Sequence, residues 1–437
     1  MLRNPMFLKH LSLDNVRSIE KLDLSFTHED GMLRRWTLLL GENGTGKSTV
    51  LRAAALLLAG SEALSELLGD PDTWIRNGAE QCRMDALIVD PDGKDVQLSL
   101  RWHRGDSIRT IFTQNDASLD AVDHAVKRER LSYLTAGYGA SRHLSGSDQS
   151  SLKGFASLRS PRAQALATLF FGDVALNPLE SWAMDLHYRR EEAGRKLVAG
   201  ALEGLMPGVT FKDIDRRAGK LLFDTADGVV PLSLLSDGYQ NVAAWCGDLL
   251  YRITESLGES YSDLDVAEPL AVPGLLLIDE IDLHLHPVWQ RQLRAYLDKR
   301  LGRFQILATT HSAVTAQQSD EGELYILARP DPKRAPDLEA YRGTPRNLFI
   351  HQVFTGQAFG LDTVASSYAE GLREEYRQLR DKGDRSRPDE ERLAALRQQV
   401  EELPDWRAET PEQRETRALL QKLERTLDAS GADQRGS

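Results

Sequence analysis

The feature that most constrains this chain is a glycine-rich loop pattern, Gly41-Glu-Asn-Gly-Thr-Gly-Lys-Ser48. It matches the phosphate-binding pattern G-x-x-x-x-G-K-[ST] at every position. Its glycines let successive backbone N–H groups turn toward a phosphate, where a Cβ atom would collide. Lys47 can reach the β- and γ-phosphates of a nucleotide, and the Ser48 hydroxyl can ligate Mg²⁺. The predicted nucleotide-binding residues here are Gly41, Glu42, Asn43, Gly44, Thr45, Gly46, Lys47, Ser48 and Thr49.

The segments that flank the loop predict the strand and the helix that such a loop needs. Trp36–Leu40 is a short apolar run and predicts a buried parallel strand. Residues 49–58 contain neither Gly nor Pro and predict a helix, whose N-terminal dipole would point at the bound anion. Strand, loop and helix in this order predict an α/β fold.

An acidic pair supplies the chemistry that the loop lacks. The apolar run that begins at Gly274 predicts the strongest strand of the chain, and it ends in Asp279 and Glu280. Asp279 can hold Mg²⁺ through its water shell, while Glu280 points elsewhere and can accept a proton from an attacking water. The sequence therefore predicts ATP and Mg²⁺ as cofactors, Ser48 and Asp279 as metal ligands and Glu280 as a catalytic residue.

Composition excludes several classes of protein. The chain has 437 residues, a formal net charge of −12 and only two cysteines, Cys82 and Cys246. No apolar run approaches the roughly 18 to 20 residues that span a bilayer, and the N-terminus becomes polar too early for a secretory signal. Two distant cysteines argue against a disulfide framework, so we expect a cytoplasmic protein without membrane association. The acidic balance disfavours nucleic-acid binding through bulk charge but leaves a local basic patch, and nucleic acid as a partner, open.

Patterning along the chain predicts a hairpin or a pair of edge strands at residues 8–26 and an antiparallel pair at residues 84–89 and 96–102. Helical spacing dominates residues 160–205, including a helix predicted at Leu179–Leu202, and two short strands follow at 210–214 and 220–224. Charge density rises beyond residue 362, where helical stripes are predicted around Leu393 and at 419–427, with a helix start at 410–413. The predicted divisions are an N-terminal lobe at residues 1–144, a mostly helical insertion at 145–230, a C-terminal lobe at 231–361 and a charged helical segment at 362–437.

A third motif lies between the loop and the acidic strand. Leu235-Ser-Asp-Gly-Tyr-Gln240 resembles the LSGGQ signature of ABC-type ATPases, with Asp237 and Tyr239 departing from the transporter consensus. In that family, the signature of one subunit closes over the γ-phosphate held by the other. The resemblance implies a homodimer around ATP, in which the trans-acting residues are Ser236, Asp237, Gly238 and Gln240.

Three further segments resemble parts of the same family. The residues from Ile281 to Pro287 resemble the D-loop, which in the family crosses the dimer interface. The alternative for this segment is a metal site at His284 and His286, which would lack an obvious third ligand. Thr310-His311-Ser312 matches the switch histidine that senses the γ-phosphate, and the resemblance makes His311 a catalytic residue. The segment around Arg17 resembles an N-terminal motif whose basic residue approaches the phosphates.

These motifs run in family order from residue 8 to about residue 330. The resemblance is to the soluble branch that contains RecF, SMC heads and the ATPase half of overcoming-lysogenisation-defect proteins, and above all to stand-alone ATPases of anti-phage defence operons. It implies an ABC-ATPase-like head with a mixed sheet and an antiparallel N-terminal β-lobe. The segment from Tyr138 to Arg142 is similar to one near the Q-loop, but it lacks the usual glutamine, so the water-positioning ligand is unassigned.

Three functions remain to be distinguished. The first is an ATPase that dimerises around ATP and regulates a separate operon-encoded effector, a nuclease or toxin, in anti-phage defence. The alternative is a RecF- or SMC-like ATPase that clamps or repairs DNA. A scaffold that binds ATP without hydrolysis is disfavoured by Glu280. The segment at 362–437 is predicted to dock a partner, with a solvated tail as the alternative. No pattern in the sequence identifies the effector, the trigger or the stoichiometry of the complex.

Overall fold

The computed structural model describes residues 6–28, 30–90, 93–128, 134–141, 143–144, 158–257, 272–331, 333–361 and 363–403. The chain divides into a first unit, Met1–Val353 with Gln357–Phe359, and a second unit, Phe354–Gly356 with Gly360–Ser437. Within these described ranges, no helix combines the length and the apolarity needed to cross a membrane.

The strands are β1 (Phe7–Val16), β2 (Ile19–Ser25), β3 (Trp36–Leu40), β4 (Gln81–Val89), β5 (Asp95–His103), β6 (Leu134–Tyr138), β7 (His143–Leu144), β8 (Ala175–Leu176), β9 (Thr210–Asp215), β10 (Lys220–Thr225), β11 (Gly228–Pro231), β12 (Gly274–Ile278), β13 (Phe304–Thr310), β14 (Leu324–Ala328) and β15 (Asp337–Ala340). The helices are α1 (Lys47–Leu57), α2 (Gly60–Leu67), α3 (Ile108–Arg128), α4 (Pro161–Phe170), α5 (Leu179–Leu202), α6 (Asp237–Leu257), α7 (Pro287–Arg300), α8 (Ala313–Ala316), α9 (Ile350–Thr355), α10 (Ser367–Asp381) and α11 (Arg387–Glu402).

The central sheet of the first unit has the order β15-β14-β3-β13-β12-β6. Its strands are parallel except β15, which pairs antiparallel to β14. Every residue of β3, β12 and β13 is buried, and β3 and β12 accordingly read as almost entirely apolar runs. The predicted strand at Trp36–Leu40 and the predicted α/β class are confirmed. Register places Leu40 beside Thr310 and Ile278 beside Tyr138, so the carboxyl ends of four strands meet at one edge.

The second sheet is antiparallel, with the order β2-β1-β4-β5. Alternating burial along β4 and β5 shows one face covered and one solvated, as expected for such a sheet. The predicted hairpin at residues 8–26 and the predicted pair at 84–89 and 96–102 are confirmed. Helix α1 contributes buried residues to the same apolar cluster as both sheets, so it is fixed between them.

The predicted insertion contains more than helices. Helix α5 matches its predicted bounds, but Glu191 has a φ of 48° and breaks it into two arms. Strands β9, β10 and β11 form a separate antiparallel sheet, which confirms the two short strands predicted there. In the described part of 145–230, helices α4 and α5 thus occur together with short strands, and the four-part division of the chain stays a prediction.

The second unit contains a helix pair formed by α10 and α11. Leu372 and Leu396 are buried, and Arg392 donates two hydrogen bonds of 2.7 and 2.8 Å to the carboxylate of Glu375. The predicted helical stripe around Leu393 is confirmed by α11. The stripe predicted at 419–427 and the helix start predicted at 410–413 lie outside the described residues.

Candidate nucleotide-binding site

The glycine-rich loop leaves the end of β3 and leads directly into α1. Gly44 and Gly46 have φ values of 77° and 105°, in the left-handed region that glycine enters without cost. At Gly41 the φ angle is not the constraint: a Cβ atom there would lie 2.2 Å from the carbonyl oxygen of Leu327. The glycine spacing is thus required by backbone conformation at two positions and by close packing at the third.

Lys47 is the first residue of α1 and is buried inside the loop. Its ammonium group donates hydrogen bonds of 2.8 and 2.9 Å to the carbonyl oxygens of Gly41 and Glu42. Burial lowers the pKa of Lys47, and the negative charges of Asp279 and Glu280 oppose that shift. The loop therefore holds the Lys47 ammonium group against two of its own backbone carbonyl oxygens.

Asp279 comes to the loop from the end of β12. Its Oδ2 accepts a 2.6 Å hydrogen bond from the Ser48 hydroxyl, although the two residues are far apart in sequence. Its backbone N–H donates to the carbonyl oxygen of Tyr138 at 2.8 Å, which continues the sheet pairing by one residue. A hydroxyl and a carboxylate side by side are hard oxygen donors, and Mg²⁺ is typically held by one or two carboxylates together with substrate phosphates. The donor set fits the predicted metal.

Glu280 and His311 follow the ends of neighbouring strands β12 and β13. Glu280 has a φ of 49°, so the backbone leaves the extended strand conformation directly after Asp279. Burial lowers the pKa of His311, with Lys47 acting in the same direction and the nearby acidic groups opposing. A mostly neutral imidazole at neutral pH can donate one hydrogen bond and accept another.

These residues line one cleft of about 360 Å³. Its walls are formed by Arg17, Ser18, Asn43, Gly44, Gly46, Lys47, Ser48, Thr49, Asp279, Glu280 and His311. The structure thus brings together the loop, the acidic pair and the switch histidine, which the sequence places in three separate segments. Of the other predicted loop residues, Thr45 is buried under the loop, where its hydroxyl donates to the Glu42 carbonyl oxygen at 2.9 Å.

Arg17 reaches the cleft from the turn between β1 and β2. Its guanidinium lies 4.0 Å from the centre of the Trp74 ring, and its backbone N–H donates to the Trp74 carbonyl oxygen at 2.8 Å. Burial lowers the pKa of Arg17 to about 10, with a smaller contribution from Arg52. Arg52 was not predicted; it lies one turn beyond Ser48 on α1, and that helical spacing is the signal that would have indicated it.

The signature residues lie outside this cleft. Ser236 and Asp237 are exposed at the start of α6, and the Gln240 amide donates to the Leu235 carbonyl oxygen at 2.7 Å. Gly238 packs so closely on the predicted D-loop that a Cβ atom would lie 2.7 Å from the carbonyl oxygen of His284. The signature is therefore built against the D-loop of its own chain while its first residues face outward.

Tyr239, which departs from the consensus, anchors the signature. Its ring meets the ring of Trp289 edge-on at 4.5 Å, and its hydroxyl donates to the Pro207 carbonyl oxygen at 2.9 Å. Among the described residues, no cluster of three or more His, Cys, Asp or Glu side chains could hold a metal, which includes the surroundings of His284 and His286. Arg142, in the segment similar to the Q-loop region, lies outside the described residues.

Two buried polar groups at the site escaped sequence reasoning. Thr309 is fully buried and contacts both members of the acidic pair through its hydroxyl. Asp248, on α6, accepts hydrogen bonds from the Tyr138 hydroxyl at 3.0 Å and from Arg252 at 2.6 Å. Neither pattern stands out in sequence, because a threonine in a strand and an (i, i+4) ion pair in a helix are both common.

Comparison with known proteins places the chain among ATPase domains. The model of the AAA_21 family, described as "AAA domain, putative AbiEii toxin, Type IV TA system", matches residues 37–316. "Septu protein PtuA" of Bacillus mycoides (strain KBAB4) is 24% identical over 360 residues, which cover 82% of this chain and 45% of that protein. "Retron Ec83 probable ATPase" of Escherichia coli is 29% identical over 157 residues, 36% of this chain and 28% of that protein.

The chain thus spans less than half the length of these two relatives. Among solved structures, the crystal structure of the SmcHead bound to the C-winged helix domain of ScpA is similar over 77% of this chain and 97% of that one, at 16% identity and a TM-score of 0.41.

Proposed function

The chain belongs to the AAA_21 family, and from that premise we propose that it binds ATP with Mg²⁺ and hydrolyses it. One observation carries the proposal: the Ser48 hydroxyl and the Asp279 carboxylate meet at 2.6 Å at the end of a glycine-rich loop that holds the buried Lys47. A surface loop that only resembled the pattern would have no reason to bring a carboxylate from a distant strand to its serine.

Each residue has a role that follows from its position. The loop amides and Lys47 would hold the β- and γ-phosphates, and Ser48 with Asp279 would hold Mg²⁺, which neutralises charge on the phosphates when it is bound. Glu280 would orient a water and accept its proton, a contribution typically of about 10² to 10⁴ in rate. His311 would donate a hydrogen bond to the γ-phosphate, and Arg17 would supply a second positive charge.

We also propose that hydrolysis needs two copies of the chain. Support comes from the exposure of Ser236 and Asp237 and from their absence from the cleft of their own chain. The start of α6 offers backbone N–H groups and a helix dipole, which together suit an anionic group brought by a second copy. Ser236, Asp237, Gly238 and Gln240 would then complete the site in trans.

The biological role that we propose is anti-phage defence. Support comes from the names of the relatives, a Septu protein and a retron ATPase. In this role the chain acts as the ATPase component and regulates a separate effector, a nuclease or toxin. The helical segment of the second unit is the proposed docking element for that effector.

Hydrolysis is tested with a base variant and a matched control. Glu280→Gln keeps the size of the side chain but removes the proton acceptor, so turnover measured as phosphate release should fall at least about 100-fold. Binding of a fluorescent ATP analogue should stay close to that of the parental chain. Glu321→Gln makes the same change at an exposed position and should behave like the parent. Parental turnover in Glu280→Gln would show that Glu280 is not the base.

A further inference from the structure

Thr309 lies on the strand next to β12 and contacts both residues of the acidic pair, Asp279 and Glu280. It is the penultimate residue of β13, and none of its surface is exposed. Its hydroxyl lies 2.6 Å from Oδ1 of Asp279 and 2.7 Å from the backbone nitrogen of Glu280. The Glu280 N–H can only donate, so the hydroxyl accepts that bond and gives its own single proton to Asp279. The donor and the acceptor of both hydrogen bonds are thereby assigned.

The first of these bonds orients a carboxylate. Asp279 accepts one hydrogen bond on each oxygen, from Thr309 on Oδ1 and from Ser48 on Oδ2. The two hydroxyls come from different elements, β13 and α1, and together they fix the plane of the carboxylate. Partners of this kind, which bond to a metal ligand rather than to the metal, set the direction in which the ligand offers its electrons.

The second bond supports a strained turn. A φ of 49° at Glu280 places a side-chain-bearing residue in the left-handed region, which residues other than glycine rarely adopt. The Glu280 N–H is held by Thr309, and the Glu280 carbonyl oxygen accepts a 3.0 Å bond from the N–H of Leu283. Strain of this kind persists where the surroundings determine the backbone, and here the hydroxyl of Thr309 is one of the groups that do so.

We propose that Thr309 is a positioning residue for Mg²⁺-dependent ATP hydrolysis. Through one hydroxyl it sets the orientation of Asp279 beside Ser48 and holds the turn that separates Glu280 from Asp279. This inference rests on the proposed function. The competing explanation is a structural role alone, in which the hydroxyl stabilises the sheet edge without affecting the metal or the base.

A neighbouring strand provides the control. Thr37 of β3 is 1% exposed and lies opposite Leu307 in the same sheet. Its hydroxyl has no hydrogen-bond partner within the part of the chain that the structure describes. Thr37→Val therefore makes the same chemical change as Thr309→Val, at similar burial, without removing a hydrogen bond.

The experiment compares full-length parent, Thr309→Val, Thr309→Ser and Thr37→Val. It measures kcat and KM for ATP, the Mg²⁺ concentration needed for half-maximal binding of a fluorescent ATP analogue, and the melting temperature. Thr309→Val should lower kcat by about 10- to 100-fold, as loss of a hydrogen bond to a charged group implies, and should raise the Mg²⁺ requirement. Thr309→Ser keeps the hydroxyl and should recover most of both, while Thr37→Val should match the parent.

The outcomes separate the hypotheses. A folded Thr309→Val with parental kcat and parental Mg²⁺ requirement overturns the inference, as does a Thr309→Ser that is impaired as much as the valine variant. If Thr309→Val does not fold, Thr309→Cys, which has a weak donor of similar size, should show reduced turnover, and parental turnover there overturns the inference equally. A parent that hydrolyses no ATP refutes the proposed function instead.

Discussion

The phosphate cleft and the signature differ in how complete each is within one chain. In the cleft, Lys47, Ser48 and Asp279 already have partners at hydrogen-bond distance, contributed by the same chain. At the signature, Tyr239 and Gly238 are fixed from behind, by Trp289 and by the carbonyl oxygen of His284, while Ser236 and Asp237 face solvent. The cleft residues are therefore hydrogen-bonded within one chain, whereas the signature packs against its own chain on one side and is exposed on the other.

This difference indicates a division between binding and turnover. If Lys47, Ser48, Asp279 and Glu280 act as proposed, the cleft of a single chain should bind a nucleotide, whereas the exposed start of α6 should act only on an anionic group from a second copy. Variants on the two sides should therefore fail in different ways. Cleft variants should lose nucleotide affinity, and signature variants should retain affinity and lose turnover.

The largest effect is expected in the cleft. Lys47→Ala removes the cation that would contact two phosphates, and each such bond is worth about 1.5 to 3 kcal/mol. Affinity for ATP should fall by at least about 100-fold, and turnover should be lost with it. Titration calorimetry with ATP and Mg²⁺ measures the change. Parental affinity would show that the phosphates bind elsewhere.

The next effect is expected on the signature. Ser236→Arg places a long side chain where the γ-phosphate of a second copy would dock. Turnover and ATP-dependent dimerisation, followed by light scattering, should fall by at least about 100-fold, because the completed site supplies the transition-state contacts. Affinity of the monomer for ATP should change less than about threefold. A matching loss of affinity would place Ser236 in the cleft of its own chain.

A smaller effect is expected from Tyr239, which packs the signature against its own chain. Tyr239→Leu removes the ring contact with Trp289 and the bond to Pro207, whereas Tyr239→Phe removes only the bond. The phenylalanine variant should lose about 1 kcal/mol of unfolding free energy in urea titration. The leucine variant should lose more stability and about tenfold in turnover, with ATP affinity unchanged. Equal turnover in the two variants would show that the ring contact with Trp289 does not affect turnover.

The smallest effect on catalysis is expected from the second unit. A chain ending at Gly360 omits α10 and α11, which belong to a unit separate from the cleft and the signature. ATP turnover should stay within about threefold of the parent, while co-purification with an operon-encoded effector should be lost. If the shortened chain fails to fold, the segment is part of the core; if the effector still co-purifies, the docking surface lies elsewhere.

Sequence predicted those elements whose conformation is determined by residues that are close together in the chain. The strands β3 and β12 are buried on both faces and are almost entirely apolar, so their patterns are unambiguous, and the loop follows from glycine stereochemistry. Helix α3 was missed because its buried face is interrupted by a polar residue. Asn115 is 4% exposed and pairs with the backbone of Arg101 on β5, exchanging two hydrogen bonds of 2.9 Å.

The site was predictable in its members but not in its geometry. The acidic end of an apolar strand indicated Asp279 and Glu280, and family resemblance indicated His311, yet their convergence depends on the parallel register of strands that are distant in sequence. The left-handed turn at Glu280 depends on the hydroxyl of Thr309, a contact between two strands that no local pattern encodes. Long-range pairing of this kind becomes visible only when the sheet is assembled.

The central claim, that one chain's signature completes the other chain's cleft, is tested most directly by mixing two inactive variants. Ser236→Arg keeps an intact cleft, and Lys47→Ala keeps an intact signature, so a mixed dimer contains one complete site and one that is doubly defective. An equimolar mixture should recover about a quarter of parental ATP turnover if chains exchange freely and sites act independently. The account predicts this recovery, with a maximum near equal amounts. Absence of recovery at every mixing ratio, with both variants folded, would contradict it.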